Sequence, residues 1–468
     1  MTDLRRLFNP RAIGIIGVSE KPYGGGFFLK SLVDMGFKNK IFIFNPRLKD
    51  KEIMGFKVYG SILELPEDQV IDYVIIAVPS EMCVKILDEV GRKNVPFVTV
   101  YTSGFSEFGR KDLEEKLLEI AQKYDLRIIG PNCMGIFVPK NKISFSPRLT
   151  TTSGELGIIS QSGGLAIQLS MMAQYVFDNP PNKTVSIGNQ IDLTFNDFLE
   201  SFSNDEEIKI IALYLENIKS HTVGQHFINL VRTLTLKEKP VIIWRVGSGT
   251  SSREAIISHT GGLSGSQKIW NGVSKQTGAL LVKSADELQN LAMTFHNILD
   301  LPVNRNVGVI SVGGGASIQV TDILEQYELI LPEVSDETKA KIKHFLPDVN
   351  TIIRNPLDLG SSGIDPEVFV KTILSLEQDP NISAIVFAWF LNFDEESLKL
   401  IKKAYYQMTK PFICVSYKIA DDVEYYSQKL SFKKSLLKLK IPVYESIELM
   451  ARSLDKYCSF KEFIAKHS

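Results

Sequence analysis

A single histidine in a loop of small residues is the first candidate for chemistry. His259 follows residues 247–252, which read Gly-Ser-Gly-Thr-Ser-Ser. Small residues let a loop carry a side chain from one position to another. Imidazole is both a nucleophile and a good leaving group near neutral pH, so it can carry a phosphoryl group. A structural or merely exposed histidine fits the same residues, and both roles stay open at this level.

A second candidate is a glycine-bearing helix start. Ser162, Gly163 and Gly164 follow the apolar stretch at residues 156–160. Two glycines after a strand let backbone N–H groups at a helix N-terminus approach a phosphate. The alternative is that Ser162 only caps the helix. The sequence lacks a GxSxG elbow, so a serine nucleophile is not predicted.

A third candidate lies near the N-terminus. Gly17 and Ser19 are followed by Gly24, Gly25 and Gly26, between an apolar run and an amphipathic one. Glycines here permit close approach of a pyrophosphate, although the spacing is not GxGxxG and a tight turn is the alternative. The next strand ends in Asn-Pro-Arg, with Pro46 and Arg47, where NAD enzymes place an acidic residue. A basic residue favours an adenosine with an extra phosphate, which NADP and CoA both carry.

Two further loops have the same strand-to-helix character. Glu216 follows the apolar run at residues 210–215, so it lies at the carboxyl edge of a predicted sheet, where it could orient a histidine. An ordinary helix-entry glutamate is the alternative. Residues 312–317, Val-Gly-Gly-Gly-Ala-Ser, resemble a phosphate loop or a glycine-rich turn.

These loops need strands and helices to position them. Apolar runs alternate with amphipathic stretches such as Phe27–Met35, Met82–Arg92 and Lys111–Lys123. Continuous apolar strands between helices indicate a parallel sheet that is covered on both faces, in a doubly wound α/β pattern. The predicted strands are Ile13–Val18, Lys40–Phe44, Tyr73–Val78, Phe97–Val100, Arg127–Ile129, Leu156–Ser160, Lys183–Ile187, Ile210–Leu215, Pro240–Trp244, Val307–Ser311, Ala384–Phe387 and Phe412–Val415.

The alternation restarts twice along the chain. At roughly 150 residues per domain, 468 residues predict about three domains. A polar, proline-bearing stretch at residues 139–154 is a predicted linker, and residues 302–305 mark the next predicted boundary. The predicted domains are residues 1–140, 150–300 and 304–468.

Composition narrows the classes of partner and compartment. The formal net charge is -1, so no global field favours nucleic acid or an anionic membrane. No apolar run is long enough to span a bilayer. The four cysteines are far apart and lack a CxxC pair, which favours a reducing cytoplasm. No histidine pair has metal-ligand spacing, so no metal site is predicted.

Several segments together resemble one known family. The loop SHTGGLSGS around His259 resembles the loop that carries the phosphorylated histidine in ADP-forming (NDP-forming) acyl-CoA synthetases. ISQSGGLA resembles the family's phosphate-binding helix start. SIGNQIDLTFNDFLE and IALYLENIKS resemble the segments that lead to the glutamate paired with that histidine. TSGFSEFG, GPNCMG and NPLDLG match other family motifs. The resemblance covers nearly the whole chain in domain order, and the succinyl-CoA synthetase α subunit is a more distant relative.

The resemblance implies a fold, a reaction and a set of site residues. The fold is an N-terminal Rossmann-like CoA-binding domain followed by two flavodoxin-like parallel-sheet domains. The reaction converts acyl-CoA, ADP and phosphate into acid, CoA and ATP, through an acyl phosphate and a phosphohistidine. His259 would carry the phosphoryl group, Glu216 would orient it, and residues 162–164 would cradle phosphate. The implied CoA contacts are Gly17, Ser19, Gly24, Gly25, Pro46, Arg47, Val78, Ser80 and Ser103.

The resemblance also implies a partner. The nucleotide-binding ATP-grasp domains of some relatives have no counterpart in these residues. ADP or ATP and Mg²⁺ are therefore expected on a separate ATP-grasp β subunit, in a heterotetramer. Residue 245 is Arg where relatives often have Lys. One alternative is a catalytically silent CoA-binding regulator or scaffold of the same fold. Another is an NADP-dependent oxidoreductase, which fits only the first domain.

Overall fold

The structure is a computed structural model, and it describes residues 2–218, 220–247, 249, 266–298, 304–347, 351–389, 394–417 and 421–467. The chain divides into two compact units, Met1–Leu288 and Gln289–Ser468. The first unit contains two sheets and the second contains one. His259 and its loop lie outside the described residues.

The first sheet is parallel except at one edge. Its spatial order is β3-β4-β2-β1-β5-β6-β7, and only the β3–β4 pair is antiparallel. Buried residues fill the central strands β1 and β5, as expected for strands covered on both faces. The strands are β1 (Ala12–Ile16), β2 (Lys40–Phe44), β3 (Glu52–Ile53), β4 (Phe56–Tyr59), β5 (Tyr73–Ile76), β6 (Phe97–Val100) and β7 (Arg127–Ile129). The helices are α1 (Arg5–Phe8), α2 (Gly25–Met35), α3 (Ser80–Arg92) and α4 (Lys111–Tyr124).

The second sheet has the order β13-β12-β11-β9-β10-β8, with β8 antiparallel to β10. Without β8, the order of its parallel strands is that of flavodoxin-like folds. The strands are β8 (Gly135–Phe137), β9 (Leu156–Ser160), β10 (Pro181–Ser186), β11 (Ile210–Leu215), β12 (Val241–Arg245) and β13 (Leu280–Val282). The helices are α5 (Gly163–Tyr175), α6 (Phe195–Ser203), α7 (His221–Leu236), α8 (Gln267–Thr277) and α9 (Ala285–Asn297).

The third sheet, in the second unit, is parallel throughout, with the order β15-β14-β16-β17-β18. This order is again flavodoxin-like. The strands are β14 (Val307–Ser311), β15 (Leu357–Asp358), β16 (Ala384–Trp389), β17 (Phe412–Ser416) and β18 (Val443–Tyr444). The helices are α10 (Gly314–Gln326), α11 (Asp336–Lys343), α12 (Pro366–Glu377), α13 (Glu395–Tyr405), α14 (Val423–Lys438) and α15 (Ile447–His467).

The predicted α/β class and parallel sheets are confirmed, and each predicted strand overlaps an observed one. The stretch at residues 139–154, which was predicted as a linker, is packed into the fold. Ile143 and Phe145 are buried in the core that the two sheets of the first unit share, and the Phe145 ring lies 6.0 Å from that of Phe137. Ser144 Oγ donates a hydrogen bond to Ser146 O at 2.6 Å. Two apolar residues at alternate positions therefore bury this polar-looking stretch. The three domain ranges stay a prediction.

The reversal of strand order places one loop at the centre of each sheet. In the first sheet β1 lies between β2 and β5, in the second β9 lies between β10 and β11, and in the third β14 lies between β15 and β16. Open parallel sheets bind ligands at the carboxyl ends of such strands. All three glycine-bearing loops singled out from the sequence follow these strands. In the described parts of the chain, no helix has the length and apolar character needed to cross a membrane.

A buried carboxylate anchors the N-terminal helix to the first sheet. Asp72 is fully buried and accepts hydrogen bonds from Arg6 Nε at 2.8 Å and from Arg11 Nε and the Arg11 backbone at 2.8 and 2.9 Å. Burial alone would raise the pKa of Asp72, but the hydrogen bonds from Arg11 and Arg6 outweigh it and hold the pKa at about 2. The ionised carboxylate is therefore the form that stabilises the fold.

The depressed pKa predicts how stability depends on pH. Because the unfolded Asp pKa is about 4, the contribution of Asp72 is present above that pH and is lost as the pH falls toward 2. We expect Asp72→Asn to lower the free energy of unfolding by about 2–3 kcal/mol at pH 7 and by less at pH 3. Urea unfolding at both pH values measures this, with the exposed Asp68→Asn as control. A loss that is the same at both pH values would contradict the assignment.

Candidate functional site

The turn after β1 can be built only from glycine at its first position. Gly17 has φ +92°, and a Cβ there would lie 2.3 Å from the carbonyl oxygen of Ala77. The Gly17 N–H donates to Phe44 O at 2.9 Å. The turn is thus wedged between the ends of β2 and β5, at the reversal of strand order.

The start of α2 packs directly on this turn. A Cβ on Gly25 would lie 2.7 Å from the Gly17 carbonyl, and one on Gly26 would lie 2.5 Å from Ser19 O. Gly24, the N-cap residue, has φ +58° and supplies no side-chain cap. The first N–H groups of α2 have no acceptor within the helix itself. A tight glycine turn that packs against a helix N-terminus in this way suits a pyrophosphate.

The other residues predicted to contact CoA lie at the same edge. Asn45 Nδ2 donates to Val18 O at 2.8 Å, which ties the end of β2 to the glycine turn, and Asn45 Oδ1 accepts from Arg47 N at 3.0 Å. The side chains of Arg47 and Pro46 are exposed. Ser80 is the first residue of α3, so a second helix N-terminus faces this edge.

The remaining predicted CoA contacts follow β5 and β6. The Val78 carbonyl accepts a hydrogen bond from Thr102 Oγ1 at 2.5 Å, next to the exposed Ser103. The loops after β1, β2, β5 and β6 therefore meet at one carboxyl edge. Their glycines, helix N-termini and exposed arginine suit a pyrophosphate and an additional phosphate.

The Ser-Gly-Gly segment opens α5 at the reversal of strand order in the second sheet. Ser162 is the N-cap residue, and its Oγ accepts from Leu165 N at 3.3 Å. The Ser162 side chain therefore caps the helix, which was the alternative interpretation. The N–H groups of Gly163 and Gly164 stand in the first helical turn, where a helix offers no internal acceptor. Phosphate binding at these residues stays a prediction.

A cavity of about 240 Å³ opens onto this helix start. Its walls come from Tyr101, residues 132–134, residues 161–164 and residues 188–189. It therefore lies between loops of the first sheet and the carboxyl edge of the second. Burial raises the pKa of Cys133 to about 12, so this thiol stays protonated and is not a nucleophile at neutral pH.

Glu216 lies beside this edge, as predicted. It is buried, and both its backbone N–H and that of Asn217 donate to Gln161 Oε1, the latter at 3.1 Å. Burial, and then the negative charge of Glu216, raise the pKa of Tyr214. The backbone of Glu216 is thus held next to Gln161, the residue that precedes Ser162.

The described flanks of the histidine loop begin next to Glu216. Val246 N donates to Leu215 O at 3.2 Å, so the chain leaves β12 beside the end of β11. The Arg245 guanidinium lies 5.9 Å from the centre of the Trp270 ring on α8, and its Nη2 donates to Gly247 O at 3.2 Å. Arg245 therefore contacts both sides of the loop. The predicted pairing of His259 with Glu216 stays a prediction, because His259 is outside the described residues.

Sequence reasoning missed the role of the segment after β10. Residues 188–193 turn back to the first sheet, where Asn189, Ile191 and Leu193 donate backbone hydrogen bonds to residues 131, 130 and 128 at 2.9 to 3.1 Å. The segment thus joins the two sheets of the first unit. The polar residues that follow β10 indicate a possible functional segment in the sequence. The sequence does not show which residues they contact.

Asn189 is the polar centre of this joint. Its Nδ2 donates to Glu107 Oε2 at 2.6 Å and to Glu114 Oε1 at 2.8 Å. Arg127 pairs with Asp192 at 3.0 Å in the same joint. Asn189 also lines the cavity next to Gly188. The Asn189 amide therefore connects the carboxylates of Glu107 and Glu114, which belong to the segments around the first sheet, to the wall of the cavity.

The third glycine loop has a different electrostatic surrounding. Gly313 has φ +103°, and its N–H donates to Asp358 Oδ1 at 2.7 Å. The same oxygen accepts from Gly360 N at 2.9 Å, beside a cavity of about 450 Å³. The Asp358 carboxylate therefore already accepts hydrogen bonds from backbone N–H groups at the loop before α10.

Fold and site together define a protein of mostly parallel α/β sheets, with a glycine-bearing loop at each reversal of strand order. Two family models match the chain: a CoA-binding domain at residues 11–139 and a succinyl-CoA ligase-like flavodoxin domain at residues 153–295. The first match favours CoA over NADP as the ligand of the first sheet.

Comparison with individual proteins supports the same family. Two ADP-forming acetate–CoA ligase α subunits of Pyrococcus furiosus, II and I, are 34% and 35% identical over 81% and 76% of this chain, and the matches cover 80% and 76% of those proteins. The dinucleotide forming acetyl-coenzyme A synthetase 1 from Ca. Korarchaeum cryptofilum, solved in complex with phosphate and ADP, superposes with a TM-score of 0.86. It is 29% identical, over 100% of this chain and 99% of that one. The chain belongs to the family of ADP-forming acyl-CoA synthetases.

Proposed function

We propose that this chain is the α subunit of an ADP-forming acyl-CoA synthetase, which interconverts acyl-CoA, ADP and phosphate with a free acid, CoA and ATP. The observation that carries the proposal is the cavity at the start of α5. The cavity and its glycine-bearing helix N-terminus lie at the carboxyl edge of the second sheet, where the buried Glu216 follows β11 and the described flank of the His259 loop follows β12. A CoA-binding regulator would need the first sheet but not this second site.

The first sheet would hold CoA. The cradle of Gly17, Gly24 and Gly25 would take the pyrophosphate, and Arg47 would take the additional phosphate. Ser19, Pro46, Val78, Ser80 and Ser103 complete the proposed contacts. CoA would supply the thiol that carries the acyl group as a thioester.

The second sheet would supply the phosphoryl chemistry. Phosphate held at Ser162, Gly163 and Gly164 attacks the thioester carbonyl. A carbon–oxygen bond forms, the carbon–sulfur bond breaks, and the thiolate leaves and takes a proton. The His259 imidazole then attacks phosphorus, the acid leaves as a carboxylate, and ADP later accepts the phosphoryl group. Glu216 would accept the second ring N–H of His259 and so hold the attacking nitrogen free of a proton.

The nucleotide would be handled by a partner. The relatives named as α subunits support a separate β subunit, and we propose an ATP-grasp protein that supplies ADP or ATP with Mg²⁺, in a heterotetramer. All four cysteines are buried free thiols, which suits a reducing cytoplasm.

A turnover assay tests this proposal. The tagged chain is purified from its host with its copurifying partner and mixed with acetyl-CoA, ADP, phosphate and Mg²⁺. ATP should form only when all of them are present, and free thiol should appear in equal amount. CoA binding by a complex that holds an ATP-grasp subunit but forms no ATP from any acyl-CoA tested would favour the regulator.

The phosphate cradle makes its own prediction. Within the described residues, a Cβ on Gly164 would meet no atom within 4 Å, and the same holds for Gly272 in α8. Alanine at either position should leave stability unchanged or raise it by about 0.5–1 kcal/mol, because glycine is a poor helix residue. Only Gly164→Ala should raise the KM for phosphate, by about 10–30-fold, if up to about 2 kcal/mol of anion binding at the helix N-terminus is lost. Equal KM values in the two variants would argue against phosphate at this helix start.

A further inference from the structure

We infer that α14 is a docking surface for a second copy of this chain, and that two α14 helices pack antiparallel across a two-fold axis at Leu430. The inference goes beyond the proposed function, because it assigns the surface through which two copies of this chain meet. Three features of this one helix carry it: an exposed apolar stripe, buried lysines that orient the helix, and charges of opposite sign at its two ends.

The first feature is a stripe of exposed apolar side chains. Val423 is 86% exposed, Tyr426 47% and Leu430 40%. Their spacing of three and then four residues places them on one face of the helix. No other helix in the described parts of the chain exposes three large apolar side chains. Single exposed apolar residues are ordinary, whereas a contiguous group of them marks an interaction surface.

The buried face of α14 explains why this stripe points outward. The side chains of Lys429 and Lys433 are each only 5% exposed, and their Nζ atoms lie 3.8 and 3.1 Å from the Glu445 carboxylate, which follows β18. A surface helix normally buries apolar side chains and exposes charged ones. Because the lysines of α14 turn inward to Glu445, the apolar stripe is held at the surface of the single chain.

The charges on α14 favour one occupant. Exposed Asp422 and Glu424 lie at its N-terminal end, and exposed Lys434 and Lys438 lie toward its C-terminal end. An antiparallel second copy brings the acidic end of each helix to the basic end of the other. A two-fold axis makes one patch serve both protomers, so this attraction occurs twice in one contact. The charge pattern is therefore complementary to itself, which favours a second copy of this chain over an unrelated partner.

The positions of these groups are symmetric about Leu430. Tyr426 and Lys434 are each four residues from Leu430, and Asp422 and Lys438 are each eight residues from it. In an antiparallel pair centred on Leu430, Tyr426 faces the partner's Lys434 and Asp422 faces the partner's Lys438. A lysine ammonium over a tyrosine ring and an ion pair are both attractive. The two Leu430 side chains then pack against each other on the axis.

The size of the helix indicates that the contact is wider than one helix pair. α14 has 16 residues, so it is about 24 Å long. A stable interface buries about 800 Å² of each partner, which is more than one helix face supplies. The neighbouring α13 packs beside α14, and its C-cap residue Tyr406 is 69% exposed. We therefore expect α13 to flank the contact, with the α14 pair at its centre.

Analytical ultracentrifugation of the complex purified from its host counts the copies of this chain in each particle. Wild type should contain two. Leu430→Glu places two carboxylates against each other on the axis, and it should raise the dissociation constant between the two copies by at least about 30-fold. Ile318→Glu is the matched control, because Ile318 is an apolar residue on α10 that is 67% exposed. This variant should keep two copies.

A cysteine on the axis tests the position without adding a charge. Because a residue on a two-fold axis meets its own copy, a short bismaleimide should join two chains of the Leu430→Cys variant. The same reagent should not join chains of Ile318→Cys. The four native cysteines are buried, so wild type should also stay uncrosslinked.

Several outcomes would overturn the inference. One copy of this chain in each wild-type particle would do so. Two copies that persist in Leu430→Glu, without crosslinking of Leu430→Cys, would place the contact on another surface. Loss of an ATP-grasp subunit from Leu430→Glu, with two copies of this chain retained, would make that subunit the occupant of the stripe. If wild type forms no ATP from any acyl-CoA but both Leu430 variants behave as expected, the proposed function falls and this contact stands.

Discussion

Replacement of His259 by alanine is expected to abolish phosphorylation of the chain and to lower ATP formation by at least about 10³-fold, because the nucleophile that receives the phosphoryl group is gone. CoA binding should persist, since the proposed CoA contacts all lie on the first sheet. The exposed His226→Ala, on α7, is the matched control and should behave as wild type.

Intact-mass measurement under alkaline conditions detects phosphorylation of the chain directly. The complex purified from its host is incubated with Mg-ATP. A gain of one phosphoryl group that is lost in acid is expected in wild type and in His226→Ala, but not in His259→Ala. An equal gain in His259→Ala would place the phosphoryl group on another residue. No gain in wild type despite a copurifying ATP-grasp subunit would favour a CoA-binding regulator.

The second large effect concerns the joint between the two sheets of the first unit. Asn189→Asp replaces an NH₂ group that donates to Glu107 and Glu114 with a third carboxylate. Hydrogen bonds to charged groups contribute about 1.5–3 kcal/mol each, and like charges in contact repel. We expect the free energy of unfolding to fall by about 3–5 kcal/mol near neutral pH. ATP formation should fall as well, because Asn189 lines the cavity.

Urea unfolding measures this change, with Asn229→Asp as the matched control. Asn229 is exposed on α7, so the same chemical change there should cost little. A loss no larger than that of Asn229→Asp would show that the amide is not the link between the sheets.

Local pattern was enough to predict the elements. The apolar runs that form β9, β11 and β14 were predicted at the bounds that the structure has, because a strand buried on both faces needs a continuous apolar stretch. The glycine loops follow the same logic. Gly17 adopts a backbone conformation that favours glycine, so its residue type marks the turn before any contact is known.

The polar stretch at residues 139–154 shows what local pattern leaves out. Its prolines and threonines are typical of a linker, but Ile143 and Phe145 bury it in a core built from distant segments. Ser162 is a milder case, because a serine before two glycines predicts both a helix cap and a phosphate loop. The structure shows that its hydroxyl caps α5.

What the sequence by itself determined was the α/β class, the glycine loops at the carboxyl edges and the identity of His259 and Glu216 as candidates. Only the tertiary structure decided that Asn189 meets Glu107 and Glu114, and that Met134 lies against Gly163. The reason is physical. Helix and strand periods are local properties of the chain, whereas these contacts join residues 29 to 82 positions apart. Such pairs meet because strand order and packing bring their loops to one edge, and no local period encodes that order.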